Sequence, residues 1–208
     1  MITAGVDVGT RFLKVCIAGP GGLLGSSCRP MNGNFKALYR TAFAEAMAAA
    51  GSAWGKALKR REVKAIIATG YGAHLVTEAS STLNEGACIA QGAHELDRRV
   101  RSVIDAGGLF IRITTVGPGG FAEHSSVNEK CAAGSGKFLE MISEAVEVPF
   151  EAISECAESS DDPFPITGGC AVFAESDVIS HINGGRSARD ILAGVINSIA
   201  SKAVTLLE

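Results

Sequence analysis

The start of the chain alternates between short apolar runs and turn residues, a pattern that predicts strands joined by tight turns. Residues 2–6 are apolar, and the segment DVGTRFLKVCIAGPGG follows at residues 7–22. Its Gly-Pro-Gly-Gly ending is a strong turn signal, and a third apolar run occupies residues 23–27. The chain is therefore predicted to begin with an antiparallel meander.

The same pattern returns in the second half of the chain. Residues 105–120 read DAGGLFIRITTVGPGG and match residues 7–22 at an offset of 98 without a gap, with Asp, Gly, Phe and the whole Gly-Pro-Gly-Gly turn in common. The flanking residues 103–104 and 121–126 supply the other strands of a second meander. A match in register over this length favours duplication, so we predict two related halves, residues 1–98 and 99–208.

After each meander the spacing of apolar residues changes from that of strands to that of helices. Residues 62–69 (EVKAIIAT) are the exception, because they read as a buried strand that runs into the turn Gly70-Tyr71-Gly72. Helices are predicted over residues 35–50, 84–96, 138–146, 172–182 and 188–207, the last one capped by Ser187. Strands that alternate with helices in this way are typical of an α/β protein.

Composition excludes several classes of function. Of the 208 residues, 47% are hydrophobic, which is enough for a buried core. The 22 acidic and 19 basic residues give a net charge of −3, which implies neither a basic face for nucleic acid nor a polybasic membrane patch. No apolar run reaches the roughly 18 residues of a membrane span. We therefore expect a soluble, cytoplasmic protein without nucleic-acid or membrane partners.

The cysteine spacing excludes the common zinc and ferredoxin motifs. The chain has six cysteines and no Cys-x-x-Cys pair. In a cytosolic protein of this size they are not expected to form a disulfide framework. Lone cysteines are most often small buried hydrophobic residues, and we expect this role for Cys16, Cys28, Cys88 and Cys156.

Each meander carries an Asp-x-Gly sequence at its first turn. Glycine lets the backbone approach a phosphate, and aspartate can hold a magnesium ion or order a water on it. One such turn occurs in ordinary hairpins, whereas two copies indicate a nucleotide phosphate held between facing domains. This pattern resembles the actin, sugar-kinase and Hsp70 superfamily of ATPases. The candidate catalytic residues are Asp7 and Asp105, and the candidate nucleotide-binding residues are Gly9, Thr10, Lys14, Gly107 and Gly108.

The other two cysteines, Cys131 and Cys170, lie among glycines ahead of predicted helices. The segment after Cys131 contains Gly-Ser-Gly-Lys but lacks the first Gly and the final Ser or Thr of a P-loop, so it is not one. A helix N-terminus and glycine amides stabilise a thiolate or an anionic cluster. Two interpretations remain open: buried structural thiols, or a two-fold dimer in which two pairs of cysteines ligate one [4Fe-4S] cluster.

The cysteine segments also carry a resemblance to a known family. Residues 128–138 (NEKCAAGSGKF) and 170–176 (CAVFAES), with the two cysteines 39 residues apart, resemble the signature segments of the BcrA/BadF-type ATPases. This family includes activators of 2-hydroxyacyl-CoA dehydratases and the ATPase subunits of benzoyl-CoA reductases. The resemblance implies a duplicated actin-like, ribonuclease-H-like α/β fold and a homodimer with one bridging [4Fe-4S] cluster. It also implies that ATP drives delivery of a low-potential electron to a partner iron–sulfur acyl-CoA dehydratase or reductase.

The chain departs from the family pattern at the turns and at its end. Arg11 replaces one hydroxyl residue of the first turn, and Leu109 and Phe110 replace the usual Gln and Asp of the second. The family continues with an adenosine-binding strand and loop, whereas this chain ends at Glu208. We therefore expect Mg-ATP to bind weakly and to be hydrolysed slowly or not at all.

Two functions follow from these patterns. The first is an ATP-dependent electron-transfer activator, and the alternative is a degenerate, non-hydrolysing homologue that acts as a dimeric redox or assembly module. A sugar or acetate kinase of the same superfamily would not explain Cys131 and Cys170.

Overall fold

The computed structural model describes residues 1–128, 135–166 and 171–207. The chain divides into two compact units, Met1–Cys88 and Ile89–Glu208. The sequence predicts halves of residues 1–98 and 99–208, whose boundary lies ten residues after the division between the units. Those halves stay a prediction. Among the described residues, no helix combines the length and the apolar character that crossing a membrane requires.

The first unit contains a five-stranded sheet in the order β3-β2-β1-β4-β5. The strands are β1 (Ile2–Val8), β2 (Phe12–Gly19), β3 (Gly22–Pro30), β4 (Val63–Thr69) and β5 (Ser81–Thr82). The first three form the predicted antiparallel meander, and β4 pairs in parallel with both β1 and β5. Helix α1 (Phe35–Trp54) begins at Asn34, whose side chain accepts a hydrogen bond from the Ala37 N–H, and ends at Gly55.

Strict alternation along β1 and β2 directs every second side chain to one face of this sheet. Those side chains are buried against one stripe of α1, and β4 adds further apolar residues. The buried core residues include Val6, Val8, Leu13, Val15, Ile17, Phe43, Ala46, Met47 and Ile66. The opposite face of the sheet carries Asp7, Lys14 and Thr69, which the pairing register places side by side.

The second unit contains a three-stranded antiparallel sheet in the order β6-β7-β8 and several helices. The strands are β6 (Ser102–Ala106), β7 (Ile111–Val116) and β8 (Ala122–Val127). The helices are α2 (Glu85–Leu96), which contains the division between the units, α3 (Gly136–Ala145), α4 (Ile153–Glu158), α5 (Ala171–Asn183) and α6 (Ala188–Thr205).

Helix α6 connects the two hydrophobic clusters of the second unit. Its first half is buried in a helical cluster formed by Phe138, Ile142, Ile153, Ala174, Val178, Ile191, Leu192 and Val195. Its last turns reach the sheet, where Ala203 packs against Ile111 and Ile113 of β7. Ser187 caps this helix, as predicted, by accepting a hydrogen bond from the Asp190 N–H.

The structure contains the predicted strands and helices and adds two short elements, β5 and α4, that the apolar pattern does not mark. One expectation about the cysteines is wrong. Cys28 is exposed on β3, and Cys16, Cys88 and Cys156 are half-buried. Cys28 lies directly opposite Lys14 of β2, so its side chain is on the face of the sheet away from the core and α1.

The two Gly-Pro-Gly-Gly segments form different turns. In the first unit Gly19 pairs directly with Gly22 across a two-residue turn. In the second unit the turn is one residue longer, and the Gly117 N–H donates to the Phe121 carbonyl. Gly120 adopts φ +83°, and a Cβ there would lie 2.9 Å from His94 Cβ. Close packing against α2 therefore accompanies the longer turn.

Gly25 tests the contact between β3 and α1. A Cβ at this position would lie 2.7 Å from the Ala46 carbonyl oxygen and would also clash with the Ala50 backbone N. We expect Gly25→Ala to lower the free energy of unfolding by about 1–3 kcal/mol because the helix must move away from the sheet. Urea denaturation measures the change. Gly21→Ala is the matched control, since a Cβ there meets nothing within 4 Å. Equal stability of the two variants would contradict this packing.

Candidate functional site

The two Asp-x-Gly turns have the same backbone geometry. The Gly9 N–H donates to the Phe12 carbonyl at 3.0 Å, and the Gly107 N–H donates to the Phe110 carbonyl at 2.8 Å. A Cβ on Gly9 would lie 2.9 Å from the Phe12 carbonyl oxygen, and one on Gly107 would lie 3.1 Å from that of Phe110. Both turns therefore need glycine for the close approach of backbone to backbone.

The strands that flank these turns also pair in the same register. Asp7 lies opposite Lys14, and Asp105 lies opposite Arg112. Each unit also has a register shift at the equivalent position of the repeat. It lies between Ile17 and Ala18 in the first unit and between Thr115 and Val116 in the second. The aspartates lie within the strands, two residues before the glycines. Arg112 was missed by the sequence interpretation, although the repeat offset places it at the position of Lys14.

Asp7 lies between a cation and a glycine loop. Lys14 Nζ is 2.8 Å from Asp7 Oδ2, and the Asp7 side chain is 33% exposed. On the other side, Gly70 follows β4 with φ +90°, and a Cβ there would lie 2.5 Å from Asp7 Oδ1. The Gly72 N–H donates to the Val8 carbonyl at 2.9 Å, which holds the loop in place. The sequence indicated this turn but not its contact with Asp7.

The second turn is held by a helix instead of a glycine loop. The Gly136 N–H donates to the Gly107 carbonyl and the Lys137 N–H to the Gly108 carbonyl, both at 2.9 Å. These two amides belong to the first turn of α3, where helical N–H groups have no partner within the helix. Asp105 itself is exposed. The turn and the beginning of α3 are thus joined through their backbones.

The turns have the chemistry that a magnesium-bound phosphate needs. Within the described ranges, no acceptor is hydrogen-bonded to the backbone N–H of Thr10 or of Gly108. Among the described residues, no group of three His, Cys, Asp or Glu side chains lies close enough together to hold a metal ion by itself. Magnesium is commonly bound by one or two carboxylates together with phosphate oxygens and waters. Asp7 and Asp105 fit this mode of binding, in which the nucleotide supplies part of the coordination shell.

The replaced residues of the second turn do not disturb its backbone. Leu109 and Phe110 are half-buried, and the Phe110 carbonyl accepts the hydrogen bond that closes the turn. Cys131 and Cys170 lie outside the described residues, so their role as cluster ligands stays a prediction. In the sequence, Cys170 directly precedes α5, and Cys131 precedes α3.

The sequence model of the BadF/BadG/BcrA/BcrD ATPase family matches residues 4–208. The chain belongs to this family. The predicted resemblance and the duplicated actin-like α/β fold are thereby confirmed, and solved structures of related activators share the fold.

Three relatives illustrate the similarity. The activator of lactoyl-CoA dehydratase from Anaerotignum propionicum is 32% identical over 99% of this chain and 77% of its own. The crystal structure of (R)-2-hydroxyglutaryl-CoA dehydratase component A from Acidaminococcus fermentans matches 99% of this chain and 77% of its own, with 31% identity and a TM-score of 0.88.

The third relative was solved with a nucleotide analogue. It is the activator of the 2-hydroxyisocaproyl-CoA dehydratase from Clostridium difficile with bound ADPNP, which matches 100% of this chain and 75% of its own, with 28% identity and a TM-score of 0.84. By sequence alignment alone, this chain spans 57% of the length of the activators for 2-hydroxyisocaproyl-CoA and (R)-2-hydroxyglutaryl-CoA dehydratases.

Gly70 tests the contact between the glycine loop and Asp7. In Gly70→Ala, alanine must adopt a left-handed backbone conformation, which costs about 1–2 kcal/mol. Its Cβ would also clash with the Asp7 carboxylate and with the Val8 backbone carbonyl. Gly33→Ala is the matched control, because Gly33 has φ +67° but meets nothing within 4 Å. We expect Gly70→Ala to destabilise the protein by at least about 1 kcal/mol more than Gly33→Ala in urea denaturation. Equal destabilisation would mean that the loop does not lie against the Asp7 and Val8 end of β1.

Proposed function

We propose that this chain is an ATP-dependent activator of an acyl-CoA dehydratase or reductase, to which it donates a low-potential electron. The observation that carries the proposal is the pair of Asp-x-Gly turns with equal hydrogen bonding and equal strand register. Family membership and the names of the relatives, which are activators of acyl-CoA dehydratases, support the same activity.

In this proposal each turn binds phosphate oxygens of Mg-ATP. Asp7 and Asp105 hold magnesium or a water bound to it, and the amides of Thr10 and Gly108 donate to phosphate. Gly9 and Gly107 contribute by closing the turns. The exposed ion pair between Lys14 and Asp7 contributes only about 0–1 kcal/mol, so phosphate can replace the carboxylate as partner of the ammonium group.

The proposal assigns Cys131 and Cys170 of two copies to one [4Fe-4S] cluster in a homodimer. Two cysteines per chain supply half of a four-thiolate site, and two-fold symmetry supplies the other half. When bound, the cluster supplies the low-potential electron. The glycines around both cysteines and the helices that follow them favour a negatively charged group at these positions.

The hydrogen bonds between the second turn and α3 give this proposal a physical connection. Gly107 and Gly108 accept from the first amides of α3, and Cys131 lies shortly before that helix in the sequence. Any rearrangement of the turn around phosphate therefore acts directly on the start of α3. In the proposal this contact transmits nucleotide binding to the cysteine segment.

Asp105→Asn tests the nucleotide part of the proposal. Removal of one charged contact to magnesium-bound phosphate costs roughly 1.5–3 kcal/mol, so we expect Mg-ADPNP to bind about 10- to 100-fold more weakly in calorimetry. Asp161→Asn is the control, because that exposed aspartate lies on a different loop. Equal affinities of the Asp105 variant and the unmodified protein would refute the assignment. ATP turnover of the same preparation separates a hydrolysing activator from a non-hydrolysing homologue.

Cys131→Ala and Cys170→Ala test the cluster. After anaerobic reconstitution we expect about four irons per dimer in the unmodified protein and none in either variant. Cys28→Ala is the matched control, since it removes an exposed thiol on β3 and should leave the iron content unchanged. Iron analysis measures the metal content, and light scattering measures the molecular mass that identifies the dimer. Full iron content in Cys131→Ala would end this part of the proposal.

A further inference from the structure

A small pocket with an excess of positive charge lies in the second unit, away from the Asp105 turn. Its volume is ≈ 300 Å³, and its lining includes His94 of α2, Arg98 and Arg101 after that helix, and Glu123 of β8. None of these residues has a role in the proposed function.

The pocket and the turn lie at opposite ends of the β6–β7 hairpin. Thr115, which lines the pocket, pairs with Ser102, whereas Ala106 and Ile111 pair next to the turn. The two pairs are four positions apart along the strands, which is roughly 13 Å. An ion in the pocket would therefore not contact the turn.

Arg101 is fixed in place by neutral groups. Its Nη1 donates to the carbonyl oxygens of Arg98 at 3.1 Å and of Val100 at 3.0 Å. In the parts of the chain that the structure describes, neither Arg98 nor Arg101 lies within 4 Å of a carboxylate oxygen. The nearby Arg99 differs, because it pairs with Asp97 at 2.8 Å and lowers the pKa of that carboxyl group. Arg101 also lowers the pKa of Asp97 through its charge, although among the described residues it forms no ion pair with that carboxyl group. The backbone therefore orients the Arg101 guanidinium group, and no described carboxylate is in direct contact with it.

His94 forms one wall of the pocket. Its Nδ1 is buried and makes no hydrogen bond to any described residue. The ring cannot easily turn away, because it packs against Gly120, where a Cβ would lie 3.1 Å from His94 Cδ2. Because this nitrogen is enclosed by protein atoms, an ion in the pocket would not reach it, and His94 contributes a wall of the pocket and not a ligand.

We propose that this pocket binds an oxyanion, a phosphate or carboxylate group, through Arg98 and Arg101. A guanidinium group presents several N–H donors in a plane that matches two oxygens of such an anion. Glu123 balances one of the two arginine charges, and the anion balances the other. The Glu123 carboxyl group packs against Gly117, where an added Cβ would clash with that carboxyl group.

Thermal unfolding of the full chain at constant ionic strength tests the proposal. Chloride is replaced stepwise by inorganic phosphate or, in a second series, by succinate, so that the two series distinguish phosphate from carboxylate. A ligand that binds only the folded state raises the midpoint in a saturable way. We expect saturation in the unmodified protein and an apparent affinity at least tenfold lower in Arg98→Gln/Arg101→Gln. If neither phosphate nor succinate raises the unfolding midpoint, the proposal is overturned.

Two controls locate the bound ion. Arg99→Gln removes a neighbouring guanidinium group that already has a carboxylate partner, and it should respond like the unmodified protein. Asp105→Asn should also respond normally. A response lost in Asp105→Asn but kept in Arg98→Gln/Arg101→Gln would place the ion at the nucleotide turn and refute the proposal.

If the double variant does not fold, the unmodified protein still decides the question. The ¹⁵N chemical shifts of the Arg98 and Arg101 guanidinium groups should change on saturation with phosphate or succinate, since those groups gain a partner. Unchanged shifts would overturn the proposal.

Discussion

Each unit depends on the same type of hydrogen bond, from a glycine N–H to the carbonyl oxygen of the phenylalanine three residues later. It joins Gly9 to Phe12 and Gly107 to Phe110 and closes the hairpin tightly enough that a side chain on either glycine would press on the carbonyl. With the turn closed, the strand register follows, and the aspartate two residues before the glycine lies opposite a basic residue. The candidate chemistry of each turn is thus a consequence of its backbone.

The same turn is supported by different elements in the two units. In the first, a parallel strand brings Gly70 against Asp7, so that the carboxylate is held between a loop and Lys14. In the second, the first amides of α3 donate to the turn carbonyls. A duplicated hairpin has therefore acquired different neighbours, and this difference gives the two turns separate roles in the proposed function. Among the described residues, the amides at the start of α3 reach the second turn, and in the sequence Cys131 lies shortly before that helix.

The Gly-Pro-Gly-Gly segments show the limit of local sequence as a determinant of structure. An identical tetrapeptide forms a two-residue turn between Gly19 and Gly22 and a longer turn after Gly117. Glycine permits both conformations at little cost, so the surrounding packing decides between them. At Gly120 the close approach of His94 from α2 accompanies the longer turn.

The sequence by itself determined the features that depend on neighbours along the chain. The alternating apolar residues placed the meanders, the helical spacing placed the long helices, and the offset between residues 7–22 and 105–120 predicted two equal turns. The residues around Cys131 and Cys170 indicated the family. Each of these signals is local, because strand and helix periods and turn residues act over a few positions.

Only the tertiary structure decided which distant residues meet. Gly70 lies against Asp7 because β4 pairs with β1 in a particular register, and α3 begins on Gly107 and Gly108 because its free amides need acceptors there. The exposure of Cys28 follows from its pairing with Lys14, which places it on the face of the sheet away from α1. Sequence patterns show which face of an element is apolar, but the partner of that element is settled by packing between segments that are far apart in the chain.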